Sequence, residues 1–186
     1  MQLYDSAGRR KYLTPAERQA FFRAAGNAPR EVRTFCETLG HTGCRISEAL
    51  AVTATRVDIS GGVIVLESLK KRRRKRCLPS CAGPATVSGD ARFGADIGAI
   101  GDTRSWPWSR TTAWRRVRDV MAAAAIQGRY ATPKGVRHGF GIKAVTSDVP
   151  LNMTQKWLGH ANIATTAIYT NAIGPEEQRI AERIWT

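Results

Sequence analysis

Four of the chain's eight prolines stand where a helix would begin. In "TPAERQAFFRAAG", Thr14 is placed to cap, Pro15 takes the first helical position and Glu17 completes a capping box. "TPKGVRHGFGIKAVTS" repeats the device with Thr132 and Pro133. Pro150 precedes "LNMTQKWL", and Pro175 opens "PEEQRIAERIW" with two acids in its first turn, where the helix dipole favours them. Proline lacks an N–H and is tolerated in helices mainly at the first turn, so these positions fix where helices start. Phe21, Phe22 and Ala25 give the first helix an apolar face. Further helices are expected over Arg30 to about Leu39 and through "TGCRISEALAV", with Ile46, Ala49, Leu50 and Thr53 at helical spacing. "SRTTAWRRVRDVMAAAAI" reads as a helix with Trp114, Val117, Met121 and Ala124 on one side and Arg115, Arg116 and Arg118 on the other. A last short helix is expected over about Ile163–Tyr169.

One stretch breaks the helical pattern. "TRVDISGGVIVLES" places β-branched residues on both sides of a Gly-Gly pair, which reads as a hairpin. Val63–Glu67 and about Lys75–Leu78 are expected as antiparallel strands, with the basic residues of "KKRRRKR" at the turn between them. Residues 82–105 are Gly-rich and weakly periodic, and read mostly as loop. The expected fold is therefore mainly α with a small three-stranded antiparallel β-sheet. The 186 residues fit one domain with a sizeable core, and no internal repeat is visible.

Charge narrows the partners. Lys and Arg number 29 against 15 Asp and Glu, a net charge of +14. Such an excess repels itself unless a polyanion offsets it, and nucleic acid is the commonest such partner. An anionic membrane surface is the rival, but it calls for a basic amphipathic helix, and the densest basic run is short and has no apolar face. No apolar run reaches the roughly 18 residues of a membrane span, and "MQLYDSAGRRKYL" has no signal-peptide core, so a cytoplasmic protein is expected. The spacings of Cys36, Cys44, Cys77 and Cys81 match no zinc framework, so free thiols are expected and no metal.

The chemistry-bearing residues point the same way. Metal-dependent DNA cleavage needs clustered carboxylates, and Glu48, Glu67, Asp90, Asp102 and Asp148 are scattered. No Gly-rich loop ending in Lys-Ser or Lys-Thr is present, which argues against an ATP motor. Cations, His and Tyr instead recur together at "TGCRISEAL" with Arg45, "TPKGVRHGF" with Lys134, Arg137 and His138, "LGH" with His160, and "TTAIYT" with Tyr169. On these residues the sequence resembles the catalytic domain of the tyrosine recombinases, the phage-integrase family. The family shows an Arg in a T-G-x-R-x-x-E-x-L helix, then H/K-x-x-R-H, then L-G-H or L-G-W, then a Tyr; all four boxes occur here in order.

The resemblance implies the integrase catalytic-domain fold over residues 12–186, a tail at 1–11, and no N-terminal core-binding domain. It implies double-stranded DNA as partner, a homo-oligomer (a tetramer) on DNA with a monomer alone, a prokaryotic, phage or plasmid origin, and no cofactor. Physically, a phenol is a poor nucleophile unless cations favour the phenolate. Arg45 and Arg137 would hold the non-bridging phosphate oxygens, with His160 and Lys134 as further donors. The leaving 5′-oxygen needs a proton, and the resemblance, by the family's spacing back from Pro79, implies Lys71 as its donor, with Lys70 the alternative. Attack by Tyr169 would leave a 3′-phosphotyrosine, so the strand could be rejoined without ATP or metal. Glu48 and His138 are candidates for supporting roles. Lys70, Arg72, Arg73, Arg74, Arg115 and Arg116 are candidates for DNA contact.

Each residue also has a plainer reading. A lone Arg is usually a solvated charge. A helical Tyr is usually core with its hydroxyl satisfied, and Trp106 and Trp108 in "WPW" read as packing. Three other functions remain: a non-catalytic DNA-binding or regulatory protein derived from a recombinase, a type IB topoisomerase-like activity, and a ribosomal-type RNA-binding protein. The last leaves the ordered boxes unexplained.

Overall fold

The computed structural model of the chain describes residues 2–58, 63–68, 73–77, 101–171 and 175–182. Eight α-helices occur among them: α1 Pro15–Gly26, α2 Arg30–Thr42, α3 Ile46–Ala49, α4 Arg110–Ala123, α5 Pro133–Thr146, α6 Leu151–Leu158, α7 Ala164–Ala167 and α8 Pro175–Glu182. The chain is mainly helical, with a small antiparallel sheet. Its two full strands are β2, Val63–Ser68, and β3, Arg73–Cys77. A two-residue strand, β1 (Val57–Asp58), pairs along the other side of β2.

The proline-marked starts hold. Glu17 N–H donates to Thr14 Oγ1 at 3.3 Å and Thr14 N–H donates to the Glu17 carboxylate at 2.9 Å, closing the capping box of α1. Thr132 Oγ1 accepts from Gly135 N–H at 3.2 Å at the start of α5. Pro150 caps α6, and α8 begins at Pro175. Trp106 is buried against Phe35, with ring centroids 5.2 Å apart, and Trp108 packs on the same ring, so both are packing residues.

Three expectations are corrected. The helix expected through Thr53 ends at Ala49, because Thr53 bridges to Arg104 and the chain turns to feed the sheet. The inward stripe of α4 is Ala113, Val117, Val120 and Met121, while Trp114 is 42% exposed; the face is rotated by one position from the expected one. The basic run is divided as well. Arg73–Cys77 forms β3 itself, whereas Lys70, Lys71 and Arg72 lie outside the described residues, as does the Gly61–Gly62 turn. Most of 82–105 also falls outside them.

Two apolar clusters organise the packing. The larger joins α1, α2 and α4 through Phe21, Phe35, Leu39, Val117 and Met121. Burying a side chain of this size stabilises by roughly 1.5–3 kcal/mol. The smaller comprises Leu3, Tyr12, Ile142, Leu158 and Tyr169. Residues 2–11, expected as a tail, form a turn that supplies Leu3 to that cluster: Tyr4 pairs with Arg10, and Asp5 Oδ1 accepts from the Ala7 and Arg9 N–H groups. Among the described residues, no helix is long and apolar enough to cross a membrane.

Candidate active site

Arg45 comes from the junction of α2 and α3. Gly43 ends α2 with φ of 61°, a left-handed conformation that glycine adopts freely. A Cβ there would also meet the Phe140 ring at 2.4 Å. The chain then extends through Arg45, which caps α3. Glu48, buried in the first turn of α3, accepts from Arg45 N–H at 2.9 Å and from Arg45 Nη1 at 2.8 Å. Glu48 thus holds both the backbone and one terminal nitrogen of the Arg45 guanidinium, while the side chain stays 43% exposed.

Arg137 comes from the second turn of α5 and is almost wholly buried. Its Nη1 donates to the Gly43 carbonyl at 2.7 Å and its Nη2 to the Leu158 carbonyl at 2.8 Å. One guanidinium thus ties the end of α2 to the end of α6, and three of its five N–H donors remain for other acceptors. Burial, with Arg45 nearby, lowers its pKa. His160 follows α6. Its N–H donates to the Gln155 carbonyl at 3.1 Å, and its Nδ1 lies 2.9 Å from Thr166 Oγ1 on α7.

Arg45, Lys134, Arg137 and His160 line one cleft of about 590 Å³. Its walls also carry Arg110, Trp114, Arg129, Thr132 and Thr165. The expected residues of three separate boxes therefore meet around one concave surface with cations on several sides, a geometry suited to a phosphodiester. Sequence reasoning missed Arg110, Arg129 and Thr166. Arg110 and Arg129 carry no local signal beyond charge, and the Thr166 contact depends on how α7 folds back on His160.

Tyr169 lies behind the cleft. The helix expected up to it gives way to a 3₁₀ turn, Ile168–Asn171, with the Tyr169 ring fully buried. Its ring lies nearly parallel to that of His160 at 6.3 Å and edge-on to that of His138 at 5.8 Å. Among the described residues its hydroxyl has no hydrogen-bond partner. Burial raises its pKa, and the nearby Arg137 and Arg45 pull the other way. His138 is equally buried, with neither ring nitrogen partnered among the described residues, and burial beside Lys134 and Arg137 lowers its pKa to about 4. His138 therefore touches the Tyr169 ring and does not line the cleft.

Gly141 makes room for that ring. A Cβ on it would sit 2.5 Å from Tyr169 Cζ, below any real contact distance. Gly141→Ala is expected to lose about 1–3 kcal/mol of stability, the usual cost of overpacking, read as a lowered midpoint in chemical denaturation. A midpoint equal to the parent's would show that the ring does not occupy this position in solution.

The remaining expected residues lie elsewhere. Arg115 and Arg116 are exposed on α4 outside the cleft lining. Arg73 and Arg74 are in β3, and Lys70, Lys71 and Arg72 lie outside the described residues. Cys36 and Cys44 are buried and, among the described residues, form no disulfide, and no cluster of residues able to hold a metal ion occurs there.

Comparison with known proteins gives one family. The profile of the phage integrase family matches residues 93–173. The tyrosine recombinase XerD of Haemophilus influenzae is 26% identical over 93% of this chain and 62% of its own length. XerD of Mycobacterium tuberculosis is 30% identical over 74% of this chain and 47% of its own. The chain therefore spans roughly half to three-fifths of these relatives. Among solved structures, XerA recombinase superposes with a TM-score of 0.78 at 22% identity, over 92% of this chain and 64% of that one. XerH site-specific recombinase bound to palindromic difH substrate, a post-cleavage complex, superposes with a TM-score of 0.74 at 17% identity, over 97% and 55%. Ordered boxes, shared fold and matching relatives together support a tyrosine recombinase catalytic domain, with the phage integrase profile lying on residues 93–173.

Proposed function

We propose that the chain cleaves and rejoins DNA strands in site-specific recombination, through a covalent 3′-phosphotyrosine. The observation that carries this is the cleft where Arg45, Lys134, Arg137 and His160 converge with Tyr169 packed behind it. A scissile phosphate in the cleft meets donors on several sides. Arg45 and Arg137 hold its non-bridging oxygens, where charge grows in the pentavalent transition state, and His160 and Lys134 add donors. The Tyr169 oxygen attacks phosphorus and gives up its proton to water. The bond to the 5′-oxygen breaks, and that oxygen takes a proton from Lys71. The reverse attack by a 5′-hydroxyl expels Tyr169 and restores the phosphodiester, so neither ATP nor metal is consumed. Relatives crystallised on DNA, among them XerH on difH and a lambda integrase dimer on a COC′ core site, support duplex DNA as the substrate. An oligomer on DNA belongs to the same reading.

The test is a nicked suicide duplex, from which the short downstream strand diffuses away and traps the covalent species, followed by denaturing electrophoresis. A protein–DNA adduct is the expected result. The buried Tyr169 hydroxyl, without a hydrogen-bond partner among the described residues, favours a second reading, a recombinase-derived protein that binds DNA without cutting it. Binding without adduct would establish that reading. Relaxation of supercoils without joining of two duplexes would instead mark a topoisomerase-like activity.

Binding should be dominated by phosphate contact. With net charge +14, each neutralised phosphate steepens the log–log salt dependence of affinity by about 0.9. Neutralising Arg72, Arg73 and Arg74 together is expected to flatten that slope by roughly one for each phosphate set free, and to weaken all sequences about equally. Titrations of the triple variant across a salt series measure this. An unchanged slope would show that the basic run faces solvent.

A further inference from the structure

We infer that Thr166 is a positioning residue that fixes the tautomer of His160, leaving the His160 Nε2 proton to donate to the phosphate. The inference rests on His160 being a phosphate donor.

Other threonines of this chain set the contrast. Thr34, Thr38 and Thr42 of α2 donate their hydroxyls to the carbonyls of Arg30, Thr34 and Thr38, one helical turn back, at 3.0, 2.8 and 2.6 Å. Thr170 does the same to Ala167 at 2.6 Å. Thr166 departs from this habit. It is fully buried, and its hydroxyl lies 2.9 Å from His160 Nδ1, its one side-chain hydrogen bond among the described residues. Among the described residues no carbonyl receives the hydroxyl proton, so the tautomer decides which buried donor goes unmet: Thr166 O–H if Nδ1 carries hydrogen, or the equally buried Nε2–H if Thr166 donates to a bare Nδ1. A phosphate held at the cleft can satisfy only the second, so Thr166 O–H donates to a bare Nδ1. In the neutral ring the proton must then reside on Nε2.

That choice bears on chemistry. A neutral imidazole can donate to a phosphate oxygen only from a nitrogen that carries hydrogen. His160 lines the cleft, and with Nδ1 held by Thr166 the nitrogen left to meet a phosphate is Nε2, which is buried in this structure and carries the hydrogen to donate. The opposite tautomer would aim a lone pair at an anion. The cations that share the cleft, Arg45, Arg110, Arg129, Lys134 and Arg137, make a neutral donor the less repulsive solution than a further positive charge. Thr166 also belongs to α7, which runs directly into the turn carrying Tyr169. The contact that sets the His160 ring is therefore made by the element that carries the nucleophile.

The test reads the tautomer directly. Long-range proton–nitrogen correlation on ¹⁵N-labelled protein at about pH 8.5, well above the ordinary imidazole range, distinguishes protonated from bare ring nitrogens. The chain has three histidines, and the His160 signal is identified by its loss in His160→Gln. The expected wild-type signal has Nε2 protonated and Nδ1 bare, with Thr166→Ser the same and Thr166→Val, equal in shape but without the hydroxyl, shifted to a mixture. On the suicide duplex, Thr166→Val is expected to cleave about 10–100-fold more slowly, the usual cost of losing a group that orients a working histidine, while Thr166→Ser stays within a few-fold of wild type. A wild-type ring protonated on Nδ1, or an unchanged tautomer in Thr166→Val, overturns the inference. So do equal cleavage defects in the Ser and Val variants. If Thr166→Val fails to fold, the wild-type and Ser spectra decide. If the wild type forms no adduct, the recombinase reading fails, and the spectra alone still decide whether Thr166 sets the ring.

Discussion

Tyr169→Phe is expected to abolish covalent attachment to DNA while leaving the protein at least as stable as its parent. The two halves have different origins. The phenol oxygen is the atom proposed to bond to phosphorus, and phenylalanine lacks it. The ring is what packs: it fills the space beside Gly141 and lies against His138. Phenylalanine keeps those contacts. It also removes a buried hydroxyl that has no partner among the described residues, a group whose desolvation costs about 1–3 kcal/mol. Denaturant midpoints of parent and variant should therefore be equal, or favour the variant. A surviving adduct would refute the nucleophile assignment. A clear loss of stability would mean that the hydroxyl finds a partner in solution.

The second large effect concerns the leaving group. A 5′-alkoxide is expelled poorly without a proton, and a positioned general acid contributes about 10²–10⁴-fold. Lys71→Ala is expected to slow cleavage of ordinary DNA by that factor. A 5′-bridging phosphorothioate departs without protonation, so the variant should cleave that substrate almost as fast as the parent does. Equal defects on both substrates would remove Lys71 from the role, and selective rescue of Lys70→Ala would move the role by one residue. The ends of β2 and β3 support the proposal: Ser68 pairs with Arg73, so both candidate lysines belong to the short segment joining these strands.

Signals written within a few residues are the ones legible in the sequence. The capping box of Thr14 and Glu17 and the Thr132–Pro133 start of α5 are local devices and appear where expected. The sequence boxes likewise name Arg45, Lys134, Arg137 and His160, which the fold gathers into one cleft. What escapes depends on distant partners. Helical spacing gives the period of α4 but not its phase, so it turns Trp114 inward when Ala113 holds that position. The helix after Arg45 stops early because Thr53 pairs with Arg104, roughly fifty positions away in the chain. Arg137 reads in sequence as a pure phosphate ligand, yet two of its donors brace the ends of α2 and α6. Thr166 reads as filler between His160 and Tyr169, because a threonine's partner is not decided until the helix carrying it is placed.

The resting place of Tyr169 sets a kinetic condition on the proposed reaction. A fully buried hydroxyl cannot touch DNA, so attack waits on the 3₁₀ turn swinging out of the cluster formed with Leu3, Tyr12, Ile142 and Leu158. The observed rate is then the intrinsic rate multiplied by the fraction of molecules with the turn released. Each tenfold reduction in that fraction corresponds to about 1.4 kcal/mol of packing. On the proposed reaction, the apolar contacts of this small cluster would act as a throttle: an undocked protein would stay latent towards stray duplexes, and whatever loosens the turn on a bound site would raise the cutting rate without altering any group that touches the phosphate.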